Sequence, residues 1–405
     1  MKLNYYKSEK PICYYKTDKQ VEIPDEITLK EVRAMWVSNV ANIDLPTVEN
    51  IKDYQDKVIT MLDTCVSFNI NTIFFQVRTN NDAFYCSNLN PYSRFFTGKE
   101  GKKPPFDVFS WVIEEANKRR IDVHAWCNPY RLSMEKVEKI EEYLNTCDDL
   151  NFAKRNPDII VQDNSSKLIL NPALDKVKKH IIDSMVEIVR NYGVKGIHFD
   201  DYFYPYGDLN PDYDDYIYMD KKYDSVQDFR RKNVNDLLEG VYHAIKKVNK
   251  SLQFGVSPFG IWKNKKEGIF GSNTDPACTE SYHALYADTL AWIDGGYLDY
   301  LVPQIYWEFG HKIAPFADIC DFWVEVMKNK SIDLYIGHGA YRLGSDGEFS
   351  NKYEIVNQVK YANQFKEVKG NVFFTYKNFI DKEKAYSGMQ ELKKLLNGEN
   401  QNENT

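Results

Sequence analysis

GIHFDDYFYP, residues 196–205, joins a short apolar β run to two consecutive aspartates. Its first part, Gly196–Asp200, follows a helical pattern over Pro172–Tyr192 and precedes another over Val226–Asn249. The local order is therefore helix, strand, acidic turn, helix. The run is apolar on both faces, as in a parallel sheet covered by helices. The same unit recurs in both directions. Toward the N-terminus lie Val32–Val40, Thr72–Arg78 and Asp122–Asn128, with helices expected over Asn50–Phe68 and Asp107–Arg119. Toward the C-terminus, Leu252–Ser257, Leu298–Tyr306, Asp333–His338 and Asn371–Thr375 alternate with helical patterns over Tyr286–Asp294, Phe316–Lys328, Tyr353–Phe365 and Lys382–Leu396. Eight strands separated by helices predict an α/β fold, a (β/α)8 TIM barrel with long βα loops. Residues 1–30 are expected to form an N-terminal arm, 31–397 the barrel, and the polar residues 398–405 a disordered tail. Ser133–Lys167 reads as an insertion with some helix.

A chain of 405 residues accommodates one such barrel. The hydrophobic and charged fractions, 43% and 27%, are those of an ordinary globular protein. A net charge of −7 gives a nucleic-acid partner little electrostatic support. No G-x-G-x-x-G follows the first strand and no P-loop motif occurs, so both common nucleotide-binding readings lose their main signal. Seven dispersed cysteines without a C-x-x-C pair fit reduced thiols. The N-terminal residues show no apolar h-region, and no apolar run is long enough to span a membrane. The expected location is cytoplasmic, or extracytoplasmic if a leader precedes this sequence. Nothing in the sequence specifies an oligomeric state. Aromatic residues make up 15% of the chain, 29 of them tyrosines. Such rings stack on the apolar faces of sugars, although a tyrosine-rich core accounts for many of them.

Barrel enzymes take their catalytic groups from the C-terminal strand ends. Here those ends carry Gln76, Arg78, Asn80 and Asp82, then Trp126, Asn128, Tyr130 and Arg131, then His198, Asp200, Asp201 and Tyr202. Later strands end in Ser257, in Gln304, Tyr306, Trp307 and Glu308, and in His338 and Tyr341. This ring of amides, carboxylates and aromatics suits a polyhydroxylated ligand. Glycoside hydrolysis usually needs two carboxyl groups flanking the scissile bond. Side chains alternate along a strand, so if His198 faces the interior, Asp200 does too and Asp201 points to the flank. Asp200 is therefore the first candidate for nucleophile or base. Asp201 stays close behind, because alternation often breaks where a strand ends. Glu308 sits among aromatic residues, a setting that raises a carboxyl pKa and suits a general acid. A His198–Asp200–His338 metal set is a weaker reading, since no H-x-H or H-E-x-x-H pattern occurs. No metal and no cofactor are expected. The expected partner is a carbohydrate substrate. Two other classes compete: a non-catalytic carbohydrate-binding barrel, and a metal-dependent amide or ester hydrolase. The long segments 79–106 and 202–225 are expected to wall a cleft.

Several motifs resemble the glycosyl-hydrolase-like 10 family of bacterial (β/α)8-barrel glycosidase-like proteins. They are EVRAMWVSNVANIDLP (31–46), NTIFFQVRTNNDAFYCSNLNPYSRFFTGKEGKKP (71–104), HAWCNPYR (124–131), GIHFDDYFYP (196–205), FGVSPFGIWKN (254–264), VPQIYWEFGH (302–311) and DLYIGHGAYR (333–342). The resemblance implies a hydrolase acting on a glycan. Some family members resemble enzymes that cut peptidoglycan strands stripped of peptides. It places the acidic pair at Asp200 and Asp201 and the acid at Glu308. It also favours Gln76, Arg78, Asn128 and Tyr306 as substrate contacts, with Trp126, Trp262 and Trp307 as sugar-stacking platforms.

Overall fold

A computed structural model describes residues 1–48, 50–206, 214, 218 and 223–399. Eight strands close into one all-parallel barrel. They are β1 (Val32–Val37), β2 (Thr72–Arg78), β3 (Asp122–Cys127), β4 (Gly196–Phe199), β5 (Gln253–Val256), β6, β7 (Asp333–His338) and β8 (Val368–Phe373). Closure comes from β8 pairing with both β7 and β1, with Val32 opposite Gly370. β6 consists of two short pieces, Tyr300–Leu301 and Gln304–Ile305. Pro303 lies between them and has no N–H to give the ladder.

The helices that cover the barrel are α1 (Ile51–Ser67), α2 (Val108–Lys118), α3 (Asp175–Asn191), α4 (Val226–Val248), α5 (Thr289–Gly295), α6 (Phe316–Met327), α7 (Glu354–Asn363) and α8 (Tyr386–Leu396). Their starts follow local chemistry. The side chain of Asn50 accepts from the N–H groups of Lys52 and Asp53, Asp107 from Ser110, and Ser225 from Asp228. Each satisfies donors that a helix leaves unpaired. The apolar stripes of these helices and the outward strand residues form the larger core.

A smaller core fills the barrel itself: Ala34, Trp36, Phe74, Trp126, Tyr300, Val302, Tyr335 and Val372. Inside it, the His198 ring stacks on Phe74 at 4.2 Å, and Tyr300 stacks on Tyr335 at 5.1 Å. Gly255 makes room for this stack. A Cβ there would lie 2.1–2.4 Å from Tyr300 ring atoms. The Trp36 indole donates to His198 Nε2 at 3.1 Å, which leaves the ring proton on Nδ1, 3.2 Å from the Tyr300 hydroxyl. That hydroxyl also bonds His124 Nδ1 at 3.0 Å. Burial holds His198 well below its ordinary pKa, so this polar network is neutral.

The arm is folded onto the barrel. Leu3, Ile12, Val21 and Ile23 join the larger core, and the Tyr14 hydroxyl meets that of Tyr361 on α7 at 2.9 Å. The insertion after β3 holds two short helices (Ile140–Thr146 and Phe152–Arg155) and an antiparallel hairpin, Ile160–Gln162 with Leu168–Leu170. Of the tail expected to be disordered, residues 400–405 lie outside the described residues, as do 207–213, 215–217 and 219–222 of the expected cleft segment. The other expected wall, 79–106, gives no residue to the cavity described below. Its Phe84, Tyr85 and Phe96 are buried in the larger core, and Ser87 and Asn88 bond Glu187 on α3. That segment is held against the helix layer. No described helix is long and apolar enough to cross a membrane.

Candidate active site

The C-terminal mouth of the barrel opens into a cavity of about 290 Å³. Asp200 and Asp201 lie in its wall, both buried. β4 ends at Phe199, and the alternation that would send Asp201 to the flank ends with it. Both carboxyls therefore reach the same cavity. Trp36, Gln76, Trp126, Ser257, Gln304 and Tyr306 rise from the surrounding strand ends, with Arg131, Met134, Tyr202, Tyr206, Tyr341 and Phe374 supplied mostly by the loops above.

The two aspartates have different surroundings. Asp200 accepts the Tyr202 N–H at 3.2 Å and the side-chain amide of Asn128. Asn128 is held in turn by Gln76, whose amide donates to Asn128 Oδ1 at 2.6 Å. The Gln76 oxygen accepts from the N–H groups of Asn39 (2.9 Å) and Val40 (2.8 Å). A relay from β1 through β2 and β3 thus orients one carboxylate at the end of β4. Burial raises the Asp200 pKa, while Arg131 and these donors oppose the rise. Asp201 accepts the Tyr206 hydroxyl. Burial, then the neighbouring Asp200 charge, push its pKa up to about 7. At neutral pH the pair favours one ionised and one protonated carboxyl, the division of labour that acid–base catalysis requires.

Other candidate residues are distributed as follows. Gln304, Tyr306, Trp126, Tyr202 and Tyr341 face the cavity with Gln76. His198 lies beneath it in the barrel core. Asn128 stands behind Asp200. Arg78 is fully buried and donates to the carbonyls of Asn128 (2.6 Å) and Pro129 (2.8 Å). Asp82 accepts the Thr79 and Asn80 N–H groups at 2.8 and 2.9 Å, which folds the turn after β2. Tyr130 is buried in the larger core. Trp262 packs on Tyr282 and Phe322, and Trp307 on Phe259. The structure does not bring these last six, Arg78, Asn80, Asp82, Tyr130, Trp262 and Trp307, into the cavity lining.

His338 is not brought there either. The neighbouring Gly337 faces inward, since a Cβ on it would meet the Trp36 ring at 3.1 Å. His338 therefore points outward, stacks on Phe316 of α6 and bonds Gln358 of α7 (3.2 Å) and Asn371 (2.9 Å). A metal set of His198, Asp200 and His338 cannot converge, because the barrel wall separates its members. Among the described residues no group of three or more His, Cys, Asp or Glu could hold a metal. Glu308 also lies outside the cavity. Its Oε2 is 3.7 Å from Arg342 Nη2, and nearby Gly310 packs under Tyr5 of the arm. Sequence reasoning gives Arg131 only as a strand-end cation and does not single out Met134, Tyr206 or Phe374. The last three lie on loops that fold back over the mouth, a placement without a local sequence signal.

A closed parallel barrel with paired carboxyls in an aromatic mouth defines a glycosidase-type (β/α)8 enzyme. The chain belongs to the glycosyl hydrolase-like 10 family, which it matches over residues 31–355. It is 35% identical to glycosyl hydrolase YngK of Bacillus subtilis (strain 168) over 357 residues, 86% of this chain and 69% of that protein. It is 32% identical to glycosyl hydrolase DigH of Escherichia coli (strain K12) over 386 residues, 89% and 86% of the two chains. Among solved structures, the glycoside hydrolase domain of PgaB (BpsB) from Bordetella bronchiseptica superposes with a TM-score of 0.56 at 8% identity, covering 91% of this chain and 98% of that one. That likeness concerns the fold alone. The chain is a glycoside hydrolase.

Proposed function

We propose that this enzyme cleaves the glycan strands of a bacterial cell wall with Asp200 and Asp201 as its catalytic pair. The supporting observation is the adjacent buried carboxyls that share one cavity but not one environment. Asp201, carrying its proton near neutral pH, donates it to the glycosidic oxygen of the leaving sugar. Asp200, oriented by Asn128 and ionised, faces the positive charge that develops at the anomeric carbon, as nucleophile or as base for water. Trp126 and Tyr306 offer ring faces to the sugar, and Gln304 and Ser257 offer polar atoms. This reading moves the acid from Glu308 to Asp201, because Glu308 does not border the cavity.

The test is mass spectrometry of products from peptide-free peptidoglycan and from other bacterial and plant polysaccharides. Wild type, Asp200→Asn, Asp201→Asn and Glu308→Gln are compared. Cleavage of peptidoglycan strands that is abolished by either aspartate substitution and retained by Glu308→Gln is the expected result. Loss in Glu308→Gln alone would return the acid to Glu308. Cleavage of another polysaccharide only would remove the cell-wall substrate.

A further inference from the structure

A second cavity, of about 220 Å³, adjoins the first. The two share Arg131, Met134, Tyr202 and Tyr206 as a common rim. Its far wall is the hairpin of the insertion after β3, where Lys167 and Ile169 face it. Backbone pairing of Arg131 with Ile169 ties this hairpin to the loop that follows β3. Tyr202 and Tyr206 are unusually open for large aromatics, 43% and 41% exposed, and present rings to both cavities. The groove is thus long enough for more than one sugar, and its second half is walled by the insertion.

Its charge is specific. The Arg131 guanidinium lies 4.2 Å from the centre of the Tyr202 ring, and its Nη1 is buried without a hydrogen-bond partner. A buried donor left unpaired costs about 1–3 kcal/mol, and a side-chain shift that turns this nitrogen to a ligand acceptor recovers that cost. Lys167 is exposed at the outer edge and makes no ion pair among the described residues. The one carboxylate in this wall, Asp163, is already engaged by the N–H groups of Ser165 (2.8 Å) and Lys167 (2.9 Å) and by the Ser165 hydroxyl (2.7 Å). Two cations, Arg131 and Lys167, beside aromatic faces match a sugar that carries a carboxylate. The planar fork of arginine suits that group better than it suits a hydroxyl.

We infer that this second cavity is a subsite for a carboxylate-bearing sugar residue next to the cleaved bond, with Arg131 as its reader and Lys167 as support. The inference rests on the glycosidase reading of the first cavity. It assigns the insertion a role in substrate choice.

The experiment compares peptide-free peptidoglycan strands with the same strands after chemical reduction of their carboxyls to alcohols. Wild type is expected to prefer the carboxylated strand by about tenfold or more in kcat/KM. Arg131→Ala should lose that preference through KM on the carboxylated strand, and Arg131→Lys should restore part of it. Lys167→Ala should lose less. Equal preference in wild type would overturn the subsite and leave the hydrolase reading intact. An equal fall on both strands in Arg131→Ala, with a shifted pH profile, would mean that Arg131 only sets the charge of Asp200, and would also overturn it. Calorimetric binding of N-acetylmuramic acid against N-acetylglucosamine, in wild type and Arg131→Ala, reads the subsite without turnover. Selective binding of the acid that depends on Arg131 supports the subsite even if no strand is cut. Equal or absent binding of the two sugars refutes it.

Discussion

Replacing Asp201 with Asn should make the enzyme inactive and, above neutral pH, more stable. The Asp201 carboxyl is raised from 3.8 to about 7 in the folded protein. Between those values the folded state holds a proton that the unfolded state has lost, so stability falls as pH rises, by about 1.4 kcal/mol per pH unit. Across the whole window the loss is about 4 kcal/mol, and above pH 7 it is complete. The neutral amide of Asp201→Asn would carry no such penalty. It keeps an oxygen for the Tyr206 hydroxyl but is a weaker acceptor, a cost of about 1 kcal/mol. Asp201→Asn should therefore gain about 3 kcal/mol over wild type at pH 8, lose the advantage at about pH 4.5, and be slightly less stable at about pH 4. Urea unfolding followed by tryptophan fluorescence measures this. With a slope of about 3 kcal/mol per molar, the midpoint at pH 8 should rise by roughly 1 M. A difference independent of pH, or a variant less stable at pH 8, would show that Asp201 is not held protonated by burial and by its neighbour.

The same protonation predicts that kcat of the wild type falls as pH rises through about 7, measured on whichever glycan is cleaved; a rate that keeps rising to pH 9 would exclude Asp201 as the acid. Asn128→Ala removes a donor that favours ionised Asp200 and holds its geometry, so kcat should drop by about 10–100-fold with KM nearly unchanged, and the acidic limb of the pH profile should move to higher pH. Glu308→Gln should keep turnover within about threefold, because its carboxyl meets Arg342 and not the cavity. Gly255→Ala forces a methyl into the Tyr300 ring, which is fixed by His124, His198 and Tyr335, and should destabilise the fold by about 3 kcal/mol in a urea titration, whereas an unchanged midpoint would mean that the barrel core is loosely packed.

The barrel was legible in the sequence because its signal is local and repeated. Each unit pairs a short run that is apolar on both faces with a helix striped at 3.6 residues, and eight such units fit one closed architecture. Within a strand the alternation rule held to its last residue. It tied Asp200 to His198 on one face, and the structure turns that face into the barrel. Carried on to Asp201 it pointed to the flank, and there it failed, because Asp201 lies two residues past the end of β4, where the backbone is no longer constrained by a ladder. The same two-residue period also showed no sign of which face of β7 turned inward. Gly337 and His338 alternate equally well in either register, and only the packed barrel, with the Pro303 carbonyl and the Trp36 ring filling the space over Gly337, sends His338 to the helices. Glu308 looked like an acid in a nest of aromatics, yet Phe309 packs on Phe316 and Tyr361 while the carboxylate turns to Arg342. The sequence by itself therefore determined the fold and the end of the barrel at which Asp200 and Asp201 lie, since both follow from periodicity and strand order. Which polar groups share the cavity was decided only by the tertiary structure, because that depends on loops of distant origin meeting over the mouth and on rings competing for the same interior volume.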